Sequence, residues 1–486
     1  MTRSCKVAVI GAGMSGLVAA RELLRESHQI TVFEKSHRVG GTWVYDPCVE
    51  SDLVGLDPHR VKVHGSLYAS LRTNLMSPLM GFSDFPLTGR DFGDGRKFPR
   101  HEEVLHFLEA FAADNGLMGF VKFGAEVVQV KRTSTSTDDE LSARWMVKCV
   151  QGEQEKIEHF EAVVICNGHF SQPRLPQIPG IDRWPGKQVH SHNYRTPEPY
   201  LNQVVVIVGM GPSGFDISVD VANAAKEVHI ASRSLWFKVG KIPGMENIFE
   251  HEVVSHVEPD GRVHFADGFS VLASIILYCT GYSYHFPFLE INNLTVDDNR
   301  VGPLYKHVFS PRYGPHLSFV GITCATIIFL TSELQSKWIA QVLSGKCTLP
   351  SEDEMMSSVK EMYDEMEQAG KPKHRTHWLY DKMEGYLDWL AAETGLPQLE
   401  RWWFHMFDAL LKSLASFGHG FRVAASLLFS LDLTSPMASD DLPHHNSTYS
   451  PSLPLRKCVL RLSPKSREGI QFSWSNHYRQ ESGQEC

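Results

Sequence analysis

Residues 6–43 read KVAVIGAGMSGLVAARELLRESHQITVFEKSHRVGGTW. Residues 7–10 are a short apolar run, suited to a parallel strand buried on both faces. Gly11, Gly13 and Gly16 follow as G-x-G-x-x-G, spanning Ala12, Met14 and Ser15, and Leu17, Val18, Leu23 and Leu24 continue at helical spacing. A second apolar run, residues 30–33, ends in Glu34, 18 positions after Gly16. Each part has a physical task. Gly11 allows the tight turn out of the strand, Gly13 lets a pyrophosphate approach the backbone, and Gly16 lets helix and strand pack closely. The helix N-terminus offers free N–H groups to the anion. Glu34 can accept hydrogen bonds from a ribose 2′-hydroxyl. Glycine-rich turns alone are common. Strand, helix, strand and acid in register specify a dinucleotide-binding β-α-β unit.

The unit occurs a second time. Residues 204–208 are apolar, Gly209, Gly211 and Gly214 repeat the glycine pattern around Pro212 and Ser213, and residues 228–230 supply the next strand. Gly11 to Glu34 spans 23 positions, and Gly209 to Ser232 spans 23 as well. Ser232 therefore stands where the acid stood, with Arg233 next to it. Losing the acid removes repulsion of a 2′-phosphate, and a hydroxyl with a guanidinium can hold one. The first unit thus suits an unphosphorylated adenosine ribose such as that of FAD. The second suits NADP.

The remaining composition narrows the field. A chain of 486 residues has room for two or three domains. A net charge of −9 argues against non-specific nucleic-acid binding, which needs a basic footprint. Nine scattered cysteines without C-x-x-C argue against a disulfide framework or zinc site and fit a reducing compartment. Residues 7–10 are too short for a secretory signal core, and the apolar stretch 317–330 is short for a membrane span. The expectation is a soluble cytoplasmic protein, with peripheral membrane contact left open and the oligomeric state unread.

Along the chain, helices are expected over residues 101–112, 332–343, 352–368, 378–390 and 402–414. Residues 123–130 and 144–150 read as an antiparallel meander joined by the polar loop 131–140, and residues 162–168, 271–281 and 317–321 as further strands. Asn74 sits among apolar neighbours, where an isolated buried amide is ordinarily a cap. Residues 172–184 are proline-rich, as a linker is. From about residue 433 periodicity disappears and a disordered tail is expected.

FAD with NADPH means hydride transfer to a flavin, and two courses then open. A dithiol–disulfide reductase needs a cysteine pair beside the flavin, yet Cys48, Cys166 and Cys279 each stand singly. Reaction of the reduced flavin with O₂ is the other course. The cofactor supplies that reactivity, and a neutral amide donor beside it suits oxygen transfer better than a strong acid.

Several ordered motifs carry a resemblance. They are GAGMSG at residues 11–16, GGTW at 40–43, LRTNL at 71–75 and the second glycine turn at 209–214. To these add Trp184-Pro185-Gly186 through His190 to Tyr194, CTGY at 279–282 and ELQSKW at 333–338. Together they make residues 5–400 resemble the flavin-containing monooxygenases, nearest the plant glucosinolate S-oxygenating type. The resemblance implies FAD contacts from Gly11, Ala12, Gly13, Met14, Ser15, Gly16, Glu34, Thr42 and Trp43. It implies that Asn74, flanked by Thr73 and Leu75, sits at the flavin, helps hold a C4a-hydroperoxide and touches NADP. It implies NADP contacts from Gly209, Gly211, Ser213, Gly214, Phe215 and Asp216, with Ser232 and Arg233 on the 2′-phosphate, and a hinge shaped by His190. The implied reaction is NADPH- and O₂-dependent insertion of one oxygen atom into a soft small-molecule nucleophile, a thioether sulfur or a nitrogen. A flavoprotein reductase or oxidase without oxygen transfer is the alternative.

The motif that begins at Trp184 has phenylalanine at that position in the family, and the tail beyond residue 433 matches nothing in it, as an altered gene reading would produce. The implied fold is α/β with two Rossmann-like domains, the NADP domain inserted into a discontinuous FAD domain. Residues 1–170 and 285–430 would form the FAD domain, 171–284 the NADP domain, and 431–486 the disordered tail.

Overall fold

The computed structural model describes residues 3–133, 144–417, 420–422 and 425–426. The first glycine-turn unit forms as read, from β1 (Lys6–Ile10), α1 (Met14–Arg25) and β2 (Gln29–Phe33). β1 and β2 are parallel, with Lys6 opposite Gln29 and Ile10 opposite Phe33. After α2 (His101–Asp114) and β3 (Val121–Lys122) comes the meander: β4 (Ala125–Thr133), β5 (Arg144–Gln151) and β6 (Gln154–Phe160). Most of the polar loop expected between β4 and β5 lies outside the described residues. β7 (Ala162–Ile165) then pairs with β1 on the side away from β2.

The chain next builds a second sheet, parallel except for one short antiparallel edge strand. β8 (Lys187–His190), β9 (Val204–Val208), α3 (Pro212–Ala222) and β10 (Glu227–Ala231) are followed by β11 (Gly240–Lys241) and β12 (Ile248–His251). A separate antiparallel sheet of β13 (Val254–Val257), β14 (Arg262–Phe265) and β15 (Ser270–Leu272) interrupts before β16 (Ile275–Tyr278) closes the parallel one. The chain then returns through β17 (Leu289–Glu290), which joins β4, and the ribbon β18 (Thr295–Asp297) and β19 (Arg300–Gly302). It reaches β20 (Leu317–Phe319), which pairs with β7 of the first sheet. Helices α4 (Ile328–Ser344), α5 (Glu352–Gln368), α6 (Met383–Glu393) and α7 (Trp402–Phe417) complete the described chain.

The sheet orders are β20-β7-β1-β2-β3 and β11-β12-β10-β9-β16-β8. In each, the strand entering the glycine turn lies between the strand after its helix and one reached later in the chain. That is a topological switch point, where open α/β sheets bind ligands at the carboxyl ends of their strands. The fold is thus two Rossmann-like units, the second inserted into the first.

Packing explains why these stretches adopt these elements. Val7, Ala8 and Val9 are fully buried because helices or the meander cover both faces of the sheet. Helix α1 buries Leu17, Val18 and Leu23, each contributing about 1.5–3 kcal/mol. It also buries Arg21, whose guanidinium donates to Glu22, Asp84 and Glu333 at 2.8, 2.7 and 2.6 Å. Glu333 opens the ELQSKW motif on α4, so that motif fastens α4 to the first nucleotide helix.

Some expectations need correction. Residues 271–281 are not one strand. Leu272 ends the antiparallel β15 and is exposed, while burial on both faces starts only at Ile275. The helix expected from residue 378 begins at Met383, because Leu379 is engaged with Cys324, its amide donating to that carbonyl at 3.0 Å. The apolar stretch 317–330 divides into β20, a loop and the start of α4, and no helix among the described residues is long and apolar enough to cross a membrane. The expected tail from residue 431 lies outside the described residues.

Candidate functional site

The two glycine turns are built alike. The Gly11 amide donates to the Phe33 carbonyl and the Gly209 amide to that of Ala231, both at 2.8 Å, which sets each turn beside the residue ending the next strand. Gly11 has φ +105° and Gly209 φ +104°, in the region that favours glycine. A Cβ on Gly11 would meet the Cys166 carbonyl oxygen at 2.6 Å, and one on Gly209 that of Cys279 at 2.5 Å. The third glycines, Gly16 and Gly214, press against the turn itself. The middle glycines differ. A Cβ on Gly13 would find nothing closer than Gly41 Cα at 3.4 Å, and one on Gly211 would find no atom within 4 Å. The outer glycines serve the protein's own packing, and the middle ones leave room for a ligand.

Helices α1 and α3 start at these turns with Gly13 and Gly211 as N-caps. Neither cap supplies a side-chain hydrogen bond, and neither first turn holds an acid. Both N-termini therefore present uncapped N–H groups and the positive dipole end, which suits a pyrophosphate. Met14, Ser15 and Ser213 are half-buried on the first turns, and Phe215 is buried one turn into α3.

The strand ends differ as the spacing predicts. Glu34 is buried, its Oε2 accepting from the Ala12 amide and its Oε1 from the Ser36 amide, both at 2.8 Å. Each oxygen keeps a lone pair for a ribose hydroxyl. At the matching place Ser232 is buried, its hydroxyl donating to the Ser234 carbonyl at 2.8 Å. Arg233 is exposed and has no hydrogen bond or ion pair to a described residue. These residues fit the two groups assigned to them: an acid for a bare ribose, a free cation for a phosphate.

GGTW closes over the first turn. The Gly40 amide donates to the Ala12 carbonyl at 3.0 Å, and a Cβ on Gly41 would lie 2.8 Å from Gly13 Cα. Thr42 and Trp43 follow half-buried in the short helical turn Gly41–Trp43.

Asn74 corrects its expectation. It is exposed rather than buried among its apolar neighbours, because Thr73 turns inward instead. The Thr73 amide donates to the Pro99 carbonyl and its hydroxyl to that of Leu75 at 2.6 Å, with Leu75 half-buried beyond. The Asn74 side chain is thereby left at the surface between the two units. Its Oδ1 accepts from Arg422 at 2.9 Å, and the same guanidinium grips Asp216 on α3. The Tyr68 hydroxyl also donates to Asp216, at 3.1 Å. Burial, reinforced by Asp216, pushes the Tyr68 phenol well above its ordinary range, so it stays a donor.

Residues 190–195 form the junction between the sheets. His190 is fully buried, its Nδ1 accepting from the His192 amide and its Nε2 paired with the Gly281 carbonyl at 3.0 Å. Burial lowers its pKa to about 3, so it is a neutral structural group. Tyr194 donates to Asp220 on α3 at 2.6 Å, and Ser70 donates to the same carboxylate at 2.8 Å. Arg195 donates to the carbonyls of Asp46, Cys48, Gly65, His192 and Tyr194. Sequence reasoning missed Tyr68, Asp220, Arg195 and Arg422. Only the aromatic spacing of the motif hinted at Tyr194, and nothing in the composition around residue 422 marks an arginine of this kind.

The cysteines do not pair. All seven in the described residues are free thiols. Cys166 and Cys279 occupy equivalent places behind the two turns, and burial pushes the Cys279 thiol up to about 12.

Two switch points with uncapped helix starts, one ending in a buried acid and one beside an exposed arginine, are the geometry of an α/β protein with two dinucleotide-type units. The flavin-binding monooxygenase-like family model matches residues 4–257 and 254–419, and the chain belongs to that family. It is 48% identical over 426 residues to the Arabidopsis thaliana flavin-containing monooxygenase FMO GS-OX5, covering 86% of this chain and 91% of that one. Among solved structures it is similar to S-allyl-L-cysteine S-oxygenase from Allium sativum. That protein is 47% identical with a TM-score of 0.83, over 88% of this chain and 99% of that one. The Tmm structure from Pelagibacter sp. strain HTCC7211, 24% identical with a TM-score of 0.69 over 86% and 92%, shares the fold. The chain is an FAD- and NADPH-dependent monooxygenase.

Proposed function

We propose that residues 1–170 with 285–430 hold FAD, that residues 171–284 hold NADPH, and that the enzyme oxygenates a thioether sulfur on a small molecule. Bound FAD supplies the redox chemistry and the activation of O₂. The protein's own residues bind, orient and shield. The α1 N-terminus with Gly11, Gly13 and Gly16 takes the FAD pyrophosphate, and Glu34 takes the ribose hydroxyl. Thr42 and Trp43 lie against the same cofactor. The α3 N-terminus with Gly209, Gly211, Ser213 and Gly214 takes the coenzyme pyrophosphate, and Ser232 with Arg233 its 2′-phosphate. Phe215 and Asp216 flank that coenzyme. Asn74 offers a neutral amide between the two sites. An amide there donates a hydrogen bond without donating a proton, which protects an oxygen-transfer site from acid-promoted loss of peroxide.

One observation carries this reading: two turns with the same internal contacts end in opposite charges, Glu34 and Arg233. The sulfur assignment draws on the Allium sativum relative, named an S-allyl-L-cysteine S-oxygenase. The test is product analysis on Asn74→Ala. With a thioether, NADPH and O₂, the parent should form sulfoxide. The variant should keep FAD, form sulfoxide at least about 10-fold more slowly and release H₂O₂ instead. Undiminished sulfoxide from the variant removes Asn74 from the mechanism, and no sulfoxide from the parent removes the thioether.

A further inference from the structure

Arg422 stands three residues beyond the end of the family match at residue 419, yet it ties residues 72–74 of the first unit to Asp216 of the second. Its Nη1 and Nη2 donate to the two Asp216 carboxylate oxygens at 2.9 and 2.7 Å, a bidentate pair. Nη2 also donates to Asn74 Oδ1 at 2.9 Å and to the Arg72 carbonyl at 3.0 Å, and Nε donates to the Thr73 carbonyl at 3.1 Å. The neighbouring residue anchors it. Phe421 is 1% exposed and meets Phe98 of the first unit and Phe215 of α3 edge-on, at 5.6 and 5.9 Å between ring centres. A few residues on, the Ser426 carbonyl accepts from Lys97 at 3.1 Å.

Two consequences follow from the chemistry of these groups. A carboxamide can present either its oxygen or its NH₂, and the two differ by a flip. With Oδ1 committed to a guanidinium, Asn74 presents its NH₂ as the outward donor. The second consequence concerns Asp216. It lies one turn into α3, behind the helix start that would receive an anionic coenzyme, and its side chain is 12% exposed. An unpaired carboxylate there would repel that anion, and Arg422 cancels its charge.

We propose that Arg422 is a positioning residue for the monooxygenase reaction: it fixes Asn74 as a hydrogen-bond donor and neutralises Asp216 beside the coenzyme site. The proposal rests on the roles given above to Asn74 and Asp216. The opposite possibility is a blocking latch, in which Arg422 occupies Asn74 and Asp216 at the expense of the coenzyme. The two differ in sign.

The experiment uses the full-length, FAD-loaded protein as parent, Arg422→Ala, Arg422→Lys, Asp216→Asn, Asn74→Ala and the double variants. NADP⁺ affinity is measured by calorimetry, and sulfoxide formed per NADPH consumed is measured separately. Arg422→Ala should weaken NADP⁺ binding roughly 10-fold and divert NADPH consumption to H₂O₂. Arg422→Lys keeps the charge without the planar fork, so it should restore NADP⁺ affinity more than it restores coupling. Adding Asp216→Asn to Arg422→Ala should return NADP⁺ affinity towards that of Asp216→Asn alone, a rescue that a merely structural arginine would not permit. Adding Arg422→Ala to Asn74→Ala should cost no further coupling. Unchanged or tighter NADP⁺ binding in Arg422→Ala overturns the proposal. So does further uncoupling when Arg422→Ala is added to Asn74→Ala. If Asn74→Ala itself couples normally, the reading of Asn74 fails first, and the NADP⁺ affinities alone decide the role of Arg422. A variant that fails to retain FAD is replaced by Arg422→Gln, which keeps the bulk and gives the same two readouts.

Discussion

The Cβ that Gly214 lacks would stand 2.0 Å from the carbonyl oxygen of Gly209. Gly16 and Gly11 hold the same relationship at 1.8 Å. Neither carbonyl can move far, because each belongs to the turn itself. Alanine at either third position therefore forces helix and turn apart, costing about 1–3 kcal/mol or more at that site. Gly214→Ala should keep its flavin absorbance and lose NADP⁺ binding in a titration. Gly16→Ala should lose FAD on purification. The reverse pattern would exchange the two site assignments.

Coenzyme choice should follow Arg233. A charge-assisted hydrogen bond contributes roughly 1.5–3 kcal/mol, so Arg233→Ala should cut the preference for NADPH over NADH about 10- to 100-fold in kcat/KM. Ser232→Glu imitates the first unit and should cut it further by repelling the 2′-phosphate. An unaltered NADPH-to-NADH ratio in both variants would remove these residues from the phosphate site.

Glu333 should matter for stability and not for coenzyme choice. It is one of three carboxylates on Arg21, both side chains are nearly inaccessible, and it also accepts from the Ser83 amide at 2.8 Å. Breaking a buried pair costs about 3–5 kcal/mol. Two carboxylates remain on Arg21, so Glu333→Ala should fall near the lower figure. Denaturant unfolding checks this, and a loss below about 1 kcal/mol would mean that the pair is dispensable.

Acid should unfold the protein early. Burial lowers the pKa of His190 to about 3 and that of His307 to about 4, and His377, beside His307 at 3.1 Å, lies well below its ordinary value. The unfolded chain takes up a proton at each of these positions near pH 6.5 while the folded chain does not. No penalty exists above pH 6.5. Below it each histidine removes about 1.4 kcal/mol per pH unit, until the folded pKa is reached. Stability measured from pH 7.5 to 5 should fall steeply, and His190→Gln should fall less steeply if it folds. A flat profile over that range would contradict neutral burial.

Much of the fold and of both glycine turns was legible because their determinants are local. A turn needs its glycines at fixed offsets, and the residue ending the next strand falls at a fixed distance, so Glu34 and Ser232 could be compared by counting. Asn74 was harder. Its apolar neighbours suggested burial, but the backbone turn puts Thr73 inside and Asn74 outside, a choice made by contacts with residue 99. The strand limits near residue 273 and the late start of α6 depend likewise on partners far along the chain. Tyr68, Asp220 and Arg422 were invisible for the same reason: each acts across the two units, and no spacing within one segment records its partner.

The inserted sheet has a consequence of another kind. Its chain enters and leaves side by side: the Arg174 amide donates to the Gly281 carbonyl at 3.0 Å, and the Ser283 amide to that of Gln172 at 2.9 Å. A segment whose two ends meet as a short ribbon can be lifted out or exchanged without reopening the sheet on either side. On the proposed assignment of Arg233 to the 2′-phosphate, coenzyme preference is carried on a transplantable cassette, and exchanging it leaves the first sheet in place.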